Sequence, residues 1–149
     1  MEITAVSLGA GLAVGLAGAG VAMGEGRLAA KSIEMMGKSP RMAKDLLVYT
    51  ILGVALVESA VIYGLVIAFQ IIGTTGASEA SVIGAGLAIG LAGFGAGYGE
   101  GYIVANALEA MNRNPEMKNQ IVSFMVLFIA LAETSAIYGL VIAFKLLNG

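Results

Sequence analysis

The chain has 149 residues, of which 58% are hydrophobic and 12% charged, and its formal net charge is −2. This composition, with a mean hydropathy of +0.91, lies outside the range of ordinary soluble domains and predicts a membrane protein. The sequence contains no Cys and no His, which excludes disulfides, thiolate or imidazole metal sites and histidine acid–base chemistry. It also lacks Trp and a basic balance, so nothing suggests a nucleic-acid surface. We therefore expect lipid, ions and protein as partners.

Four apolar segments are each long enough for the ~20 residues that a spanning helix needs. They cover residues 3–30, 46–72, 81–105 and 121–147. A polar connection that contains Pro40 separates the first two segments, and one that contains Pro115 separates the last two. Because Pro ends a helix, the sequence predicts an all-α membrane protein with four transmembrane helices, arranged as two tandem antiparallel hairpins.

The two hairpins are copies of one another, offset by 75 residues. The segment GLAVGLAGAGVAMGEG at residues 11–26 matches GLAIGLAGFGAGYGEG at residues 86–101. Roughly half of the positions between residues 9 and 69 are identical in the second copy, which shared hydrophobicity alone does not produce. We therefore assign residues 1–75 to a first repeat and residues 76–149 to a second. An even number of spans separates the copies, so they share one orientation, unlike the inverted repeats of many secondary transporters.

Glycine dominates the first and third spans, in Gly-x-x-x-Gly pairs such as Gly11/Gly15 and Gly86/Gly90. Small residues at this spacing let helix backbones approach closely in lipid. A single dimerisation face is one interpretation. Because glycine covers more than one side of these helices, we favour a crowded inner ring, with the second and fourth spans as an outer, lipid-facing layer.

Two glutamates lie inside apolar spans, Glu58 in LVESAVIYGLVIAF and Glu133 in LAETSAIYGLVIAF. Carboxylates in the bilayer are costly and usually mark ion pathways. Glu25 and Glu100, each in a Gly-Glu-Gly triplet, form a second such pair. Residues equidistant from the turn of an antiparallel hairpin lie at one level, so each hairpin brings two glutamates to a shared depth, ~24 Å of helix from its loop.

Further oxygen donors flank both acids. They are the hydroxyls of Ser59, Tyr63, Thr134, Ser135 and Tyr138 and the carbonyls of Leu56 and Leu131. Carboxylate, hydroxyl and carbonyl oxygens together suit a hard cation. Two carboxylates at one site repel, so we expect Glu25 and Glu100 to keep a proton while Glu58 and Glu133 carry the mobile ion. The alternative is that these side chains serve helix packing and interhelical hydrogen bonds alone.

Basic residues are concentrated in the two hairpin loops, whereas the connector at residues 73–80 has no Lys or Arg. The positive-inside rule then places the loops in the cytoplasm and both termini outside. The predicted location is a prokaryotic inner or plasma membrane.

Each hairpin combines a glycine-rich first helix, a polar Pro loop and a carboxylate in the second helix. This combination resembles the proteolipid, or rotor-ring c subunit, of rotary ATPases, and two fused hairpins look like the V-type or archaeal-type K subunit. The resemblance implies a concentric homo-oligomeric ring that exchanges ions with half-channels of a stator protein and contacts a central stalk. It also implies a non-catalytic role, because the chain has no ATP site. The implied stalk-contact residues are Lys38, Ser39, Pro40, Arg41, Arg113, Asn114 and Pro115.

Sodium-binding members of that family carry Gln or Glu on the first helix, opposite Glu-Ser/Thr and a Tyr on the second. The first hairpin matches this pattern with Glu25, Glu58, Ser59 and Tyr63, and the second with Glu100, Glu133, Thr134 and Tyr138. The family's site lies between adjacent hairpins, so Leu56 and Ser59 are expected to complete the site of a neighbouring carboxylate. Na⁺ is the first hypothesis for the ion. Glu in place of Gln leaves H⁺ as the close second, and Ala60 lacks the hydroxyl of Ser135.

Many duplicated V-type subunits keep one ion-carrying carboxylate, whereas both hairpins keep one in this chain, which implies two ions per subunit. A stand-alone ion-coupled transporter or channel is a different hypothesis, and a structural scaffold is another.

Overall fold

The computed structural model describes residues 4–149, and these residues form helices and no strand. The α-helices are α1 (Ala5–Lys38), α2 (Ala43–Val57), α3 (Ser59–Gly73), α4 (Glu79–Arg113) and α5 (Lys118–Asn148). Within the described residues, four helical segments are long and apolar enough to cross a membrane, because α2 and α3 count as one span. The predicted fold class of four long apolar helices in two hairpins is confirmed. Ile3, where the first predicted span begins, lies outside the described residues.

The inner helices extend about two turns beyond the predicted spans, to Lys38 and Arg113. Ion pairs one turn apart support these polar turns. The Lys38 ammonium lies 2.5 Å from Glu34, and the Arg113 guanidinium pairs with Glu109. Each helix then ends two residues before the Pro that opens a short 3₁₀ turn, Pro40–Met42 or Pro115–Met117. Hydropathy identified the apolar part of each helix but missed its polar end.

The outer helix of the first hairpin is interrupted at Glu58, which lies between α2 and α3. The backbone dihedral angles of Glu58 stay helical, at φ −61° and ψ −23°. Its N–H donates to the Val54 carbonyl at 3.1 Å, and its carbonyl accepts from the Ile62 N–H at 3.3 Å. In the second hairpin, α5 runs through Glu133 without interruption. The interruption at Glu58 is therefore a slight distortion of a helix whose backbone hydrogen bonds continue through it, and the matching context at Glu133 lacks it.

The glycine-rich helices α1 and α4 pack directly against each other through glycine. A Cβ at Gly24 would overlap the Gly97 carbonyl, and a Cβ at Gly101 would overlap the backbone of Gly24. Further along, a Cβ at Gly86 would overlap the backbone of Gly9. Because no side chain separates the backbones, α1 and α4 approach closely enough to form the inner layer that the sequence predicts.

The helical segment α2–α3 lies across both inner helices. A Cβ at Gly64 would meet the Ala13 carbonyl oxygen of α1 at 2.6 Å, and one at Gly53 would meet the Val104 side chain of α4 at 2.5 Å. The helix α5 packs against α4 and α3. The outer surfaces expose large apolar side chains to the membrane, among them Ile51, Ile62, Phe69, Ile72, Phe128 and Val141.

Gly76 lies in the connector between the hairpins and has a φ of +92°. This left-handed backbone conformation favours glycine, because other L-residues clash there. It lets the chain turn from the end of α3 into α4.

Substitution at the glycine contact tests how closely α1 and α4 must approach. Gly24→Ala is expected to lower the free energy of unfolding by roughly 1–3 kcal/mol, because the new methyl group overlaps backbone that cannot move away easily. Gly37→Ala is the matched control, since a Cβ there meets nothing within 4 Å. Thermal unfolding in detergent, followed by circular dichroism, measures both variants. Equal midpoints would contradict the packing described above.

Candidate ion-binding site

The side chains of Tyr63 and Glu133 connect the two hairpins inside the apolar region. The Tyr63 hydroxyl donates a hydrogen bond to Glu133 Oε1 at 2.6 Å, in a partly buried position. Tyr63 lies on α3 of the first hairpin and Glu133 on α5 of the second. The sequence pattern groups Tyr63 with Glu58, but its hydroxyl binds the acid of the other hairpin. The reason is that α3 packs next to α5.

Glu100 is fully buried, with an exposed fraction of 0%. Neither of its carboxyl oxygens has a hydrogen-bond partner among the described residues. Glu100 is close enough to Glu133 for the two carboxyl groups to interact electrostatically. A buried carboxyl group without partners is costly, so this position requires a proton, a cation or both to neutralise it.

Ser59 provides a further unpartnered oxygen near Tyr63. Its Oγ is buried and makes no hydrogen bond within the described chain. Ser59 precedes Tyr63 by about one helical turn, so both side chains lie on the same face of α3. Leu56, whose carbonyl is a predicted ligand, lies about one further turn back and is partly buried. The structure therefore brings Glu100, Glu133, Tyr63 and Ser59 together between the hairpins.

The equivalent residues of the other predicted site are separated. Glu25 and Glu58 interact electrostatically, and Glu25 Oε1 is buried without a partner among the described residues. Tyr138, the repeat equivalent of Tyr63, is 68% exposed. The Thr134 hydroxyl donates to the Leu131 carbonyl at 2.6 Å. The chain thus contains one assembled group of candidate ligands and two halves of a second group, on different sides of the molecule.

Ser135 is exposed, and its hydroxyl donates to the Ala132 carbonyl at 3.0 Å. Among the described residues, no three His, Cys, Asp or Glu side chains cluster as they would in a conventional metal site. The carboxylates instead occur in pairs, so hydroxyl and carbonyl oxygens must complete any cation site.

The predicted stalk-contact residues lie together at the loop end. Lys38 ends α1 and Arg113 ends α4, and Ser39 and Asn114 cap these helices. A cavity of about 330 Å³ lies where the two loops meet. Its lining residues are Lys38, Ser39, Pro40, Arg41, Met42, Asn112 and Pro115.

Comparison with known proteins identifies the repeated unit. The family model that describes the C subunit of ATP synthase matches residues 8–71 and again residues 83–146. The chain belongs to the family of ATP synthase C subunits. Both matches include the loop and the second-helix acid of their hairpin. With four apolar helices long enough to span a bilayer, this family member is an integral membrane protein.

Individual relatives correspond to about half of the chain. The chloroplastic ATP synthase c subunit of Porphyra purpurea is 50% identical over 70 residues, which cover 47% of this chain and 85% of the relative. The chloroplastic c subunit of Cyanidioschyzon merolae is also 50% identical over 70 residues, covering 47% of this chain and 86% of the relative. The ATP synthase c subunit of Chloroflexus aurantiacus is 47% identical over 64 residues, covering 43% and 84%. The hairpin of this family is therefore present twice in this chain.

Removal of the hydroxyl that joins the hairpins should change the reactivity of one acid. Tyr63→Phe is expected to raise the rate at which a hydrophobic carbodiimide labels Glu133 by about fivefold, because loss of a hydrogen bond worth ~1 kcal/mol frees Glu133 Oε1 to react. Tyr138→Phe is the matched control and should leave Glu133 labelling unchanged. Peptide mass spectrometry separates Glu133 from Glu58. An unchanged Glu133 rate in Tyr63→Phe would show that the hydrogen bond does not restrain the Glu133 carboxyl group.

Proposed function

We propose that the chain is the repeating unit of a rotor ring in a V-type or archaeal-type ATPase or ATP synthase, and that it carries Na⁺ at Glu58 and Glu133. The observation that carries this proposal is the group of candidate ligands shared by the two hairpins. A site that needs donors from two neighbouring hairpins suits a ring, in which every hairpin has a neighbour.

The two separated half-sites support such an assembly. Glu25 and Glu58 lie on one side of the chain without a tyrosine partner, and Tyr138, Thr134 and Leu131 lie on the other side. Suppose that a neighbouring copy places its second hairpin against the first hairpin of this chain, with the geometry of the contact within the chain. Tyr138 of that copy then faces Glu58 of this chain in the same way as Tyr63 faces Glu133. Each added copy then completes one more site.

The inner helices offer matching surfaces for this contact. The face of α4 that packs on α1 includes Gly86, Gly90, Gly97 and Gly101. The repeat-equivalent positions on α1 are Gly11, Gly15, Ala22 and Gly26, and a Cβ at any of these glycines would meet nothing within 4 Å. On α4, Gly95 and Gly99 are equally open. The open face of α1 fits the open face of α4 in another copy. Such head-to-tail contacts form a closed ring when the rotation per copy divides a full turn.

Side-chain sizes on the outer helices agree with this packing. Within the chain, Gly53 of α2 packs against the larger Val104 of α4. The equivalent contact between copies joins Phe128 to Ala29. Here the residue on the outer helix is the large one and the residue on the inner helix is the small one, the reverse of Gly53 and Val104. Phe128 lies in an open apolar groove of about 390 Å³ between α4 and α5. The α1 helix of a neighbouring copy would fill this groove.

The choice of Na⁺ is supported by the excess of oxygen atoms in the group of Glu100, Glu133, Tyr63 and Ser59. A proton needs a single acceptor besides its own carboxyl group. Here the oxygens of Glu100 and the Ser59 hydroxyl are buried without partners among the described residues, beside the Glu133 carboxyl group. These are ligands of the kind that a hard cation takes. An H⁺-carrying ring remains the second candidate, because Glu133 already accepts a hydrogen bond from Tyr63.

The mechanism follows from the cost of charge in lipid. A carboxylate that carries a cation or proton can pass the lipid-facing side of the ring, whereas a free carboxylate cannot. Exchange then requires a stator protein with two half-channels, where a stator Arg would pair with the freed acid. With the loops on the cytoplasmic side, the central stalk turns with the ring. Two carboxylates per chain carry two ions, which favours ATP synthesis at modest membrane potential.

Carbodiimide labelling in the presence of salt tests the ion. In purified rings at fixed pH, millimolar Na⁺ is expected to protect both Glu58 and Glu133, whereas an equal concentration of K⁺ is not. Complete indifference to Na⁺ would favour the H⁺-carrying ring. Glu58→Gln and Glu133→Gln should each abolish ion transport coupled to ATP. Unchanged transport in both would contradict an ion-carrying role and favour a scaffold.

Assembly into a ring is tested at the open face of α1. Gly15→Leu is expected to prevent ring formation, because the equivalent Gly90 has no room for a Cβ beside the Leu12 carbonyl. Gly37→Asn is the matched control, since the second repeat carries Asn112 at the equivalent position. Native mass spectrometry in detergent reports the oligomer. A Gly15→Leu ring of normal size would contradict this interface, and transport by a purified single chain would favour a stand-alone transporter.

A further inference from the structure

The charged groups at the loop end separate into those with an ion-pair partner and those without one. Lys31 bridges Glu34 at 3.0 Å and Glu109 at 3.4 Å, and Glu34 also binds Lys38. Arg113 pairs with Glu109, and Lys118 of the second loop pairs with Asp45 of the first hairpin. In the described chain, the loop charges that remain without an ion pair are those of Arg41, Lys44 and Glu116.

These three residues divide unequally between the repeats. Arg41 and Glu116 occupy equivalent positions, each directly after the Pro that opens a 3₁₀ turn. Both side chains are exposed, as is that of Lys44, whose equivalent is the neutral Asn119. The first loop therefore presents two free cations, and the second loop presents one free anion at the matching place.

The loops project beyond the bilayer. A helix of 34 residues such as α1 is about 51 Å long at ~1.5 Å per residue, whereas the hydrocarbon core is ~30 Å thick. The glutamate pairs lie ~24 Å of helix from the loop, so a site near the midplane places Arg41 outside the hydrocarbon and at the outer limit of the headgroups. A protein surface, rather than lipid, is the partner that this position fits.

We propose that the central stalk docks on the first-hairpin loops alone, through an acidic surface that pairs with Arg41 and Lys44, while Glu116 repels the same surface. This assignment departs from the expectation that Arg113, Asn114 and Pro115 of the second loop also contact the stalk. This inference rests on the proposed rotor function and assigns its stalk contact. In a ring of such chains, free positive and negative loops alternate. The stalk then has one docking position per chain instead of one per hairpin. If the ring turned by one hairpin, the acidic stalk surface would face Glu116 of the second loop, and the like charges would repel.

Three variants of the complete complex test this assignment. R41E/K44N replaces the two cations of the first loop with the charge pattern of the second, and should lower stalk retention on solubilised rings by about tenfold or more. E116R/N119K adds cations to the second loop and should not lower it. The combined variant moves the cations from one loop to the other and should restore retention to within about twofold of the unmodified complex. The loss in R41E/K44N should vary with ionic strength.

Several outcomes would overturn the proposal. A combined variant as weak as R41E/K44N would show that the loops are not exchangeable, and an E116R/N119K variant as weak as R41E/K44N would show that both loops dock. Unchanged stalk retention in R41E/K44N, with weaker binding to vesicles of anionic phospholipid, would assign the cations to lipid. Ring size and Na⁺ protection of Glu133 are measured in the same preparations. If Na⁺ does not protect Glu133 from carbodiimide in the unmodified protein, the Na⁺-carrying function is refuted. If Na⁺ protects Glu133 and any of the outcomes above is observed, only the docking assignment is refuted.

Discussion

The backbone contact between α1 and α4 is the constraint on which the rest of the structure depends. Gly24 and Gly101 place no side chain between the two helices, so the helix axes approach closely. The outer segment α2–α3 can then lie across both inner helices and pack on each of them. Because it reaches over α4, Tyr63 arrives beside Glu133 of the other hairpin. Bulkier side chains on the inner helices would separate the hairpins and move Tyr63 away from Glu133.

The candidate site uses groups that a stable apolar bundle would avoid. Glu100 is fully buried without a hydrogen bond among the described residues, which costs free energy that packing elsewhere must offset. Such a group is retained where its charge state serves a function. Its position beside Glu133 makes the occupancy of one acid depend on the other. A proton or cation bound to the pair would make the buried position tolerable, and its binding would then stabilise the fold.

The two repeats are similar in sequence but different in environment. Tyr63 is partly buried between the hairpins, whereas its equivalent Tyr138 is exposed at an edge. Leu108 is buried against the first hairpin, whereas its equivalent Ile33 is 68% exposed. These differences describe a chain whose internal contact is satisfied and whose two outer faces are not.

The sequence by itself determined the four spans, the repeat, the Pro loops and the shared depth of each glutamate pair. These features follow from composition, periodicity and the geometry of an antiparallel hairpin, which are local. Only the tertiary structure decided that Tyr63 donates a hydrogen bond to Glu133. It also revealed the distortion of the helix at Glu58 and the continuation of α1 and α4 into their polar ends. The two repeats carry the same pattern, so the sequence permits a tyrosine to bind the glutamate of its own hairpin or that of the next hairpin. The packing of α3 beside α5 makes that choice, because it brings the Tyr63 hydroxyl within hydrogen-bonding distance of Glu133.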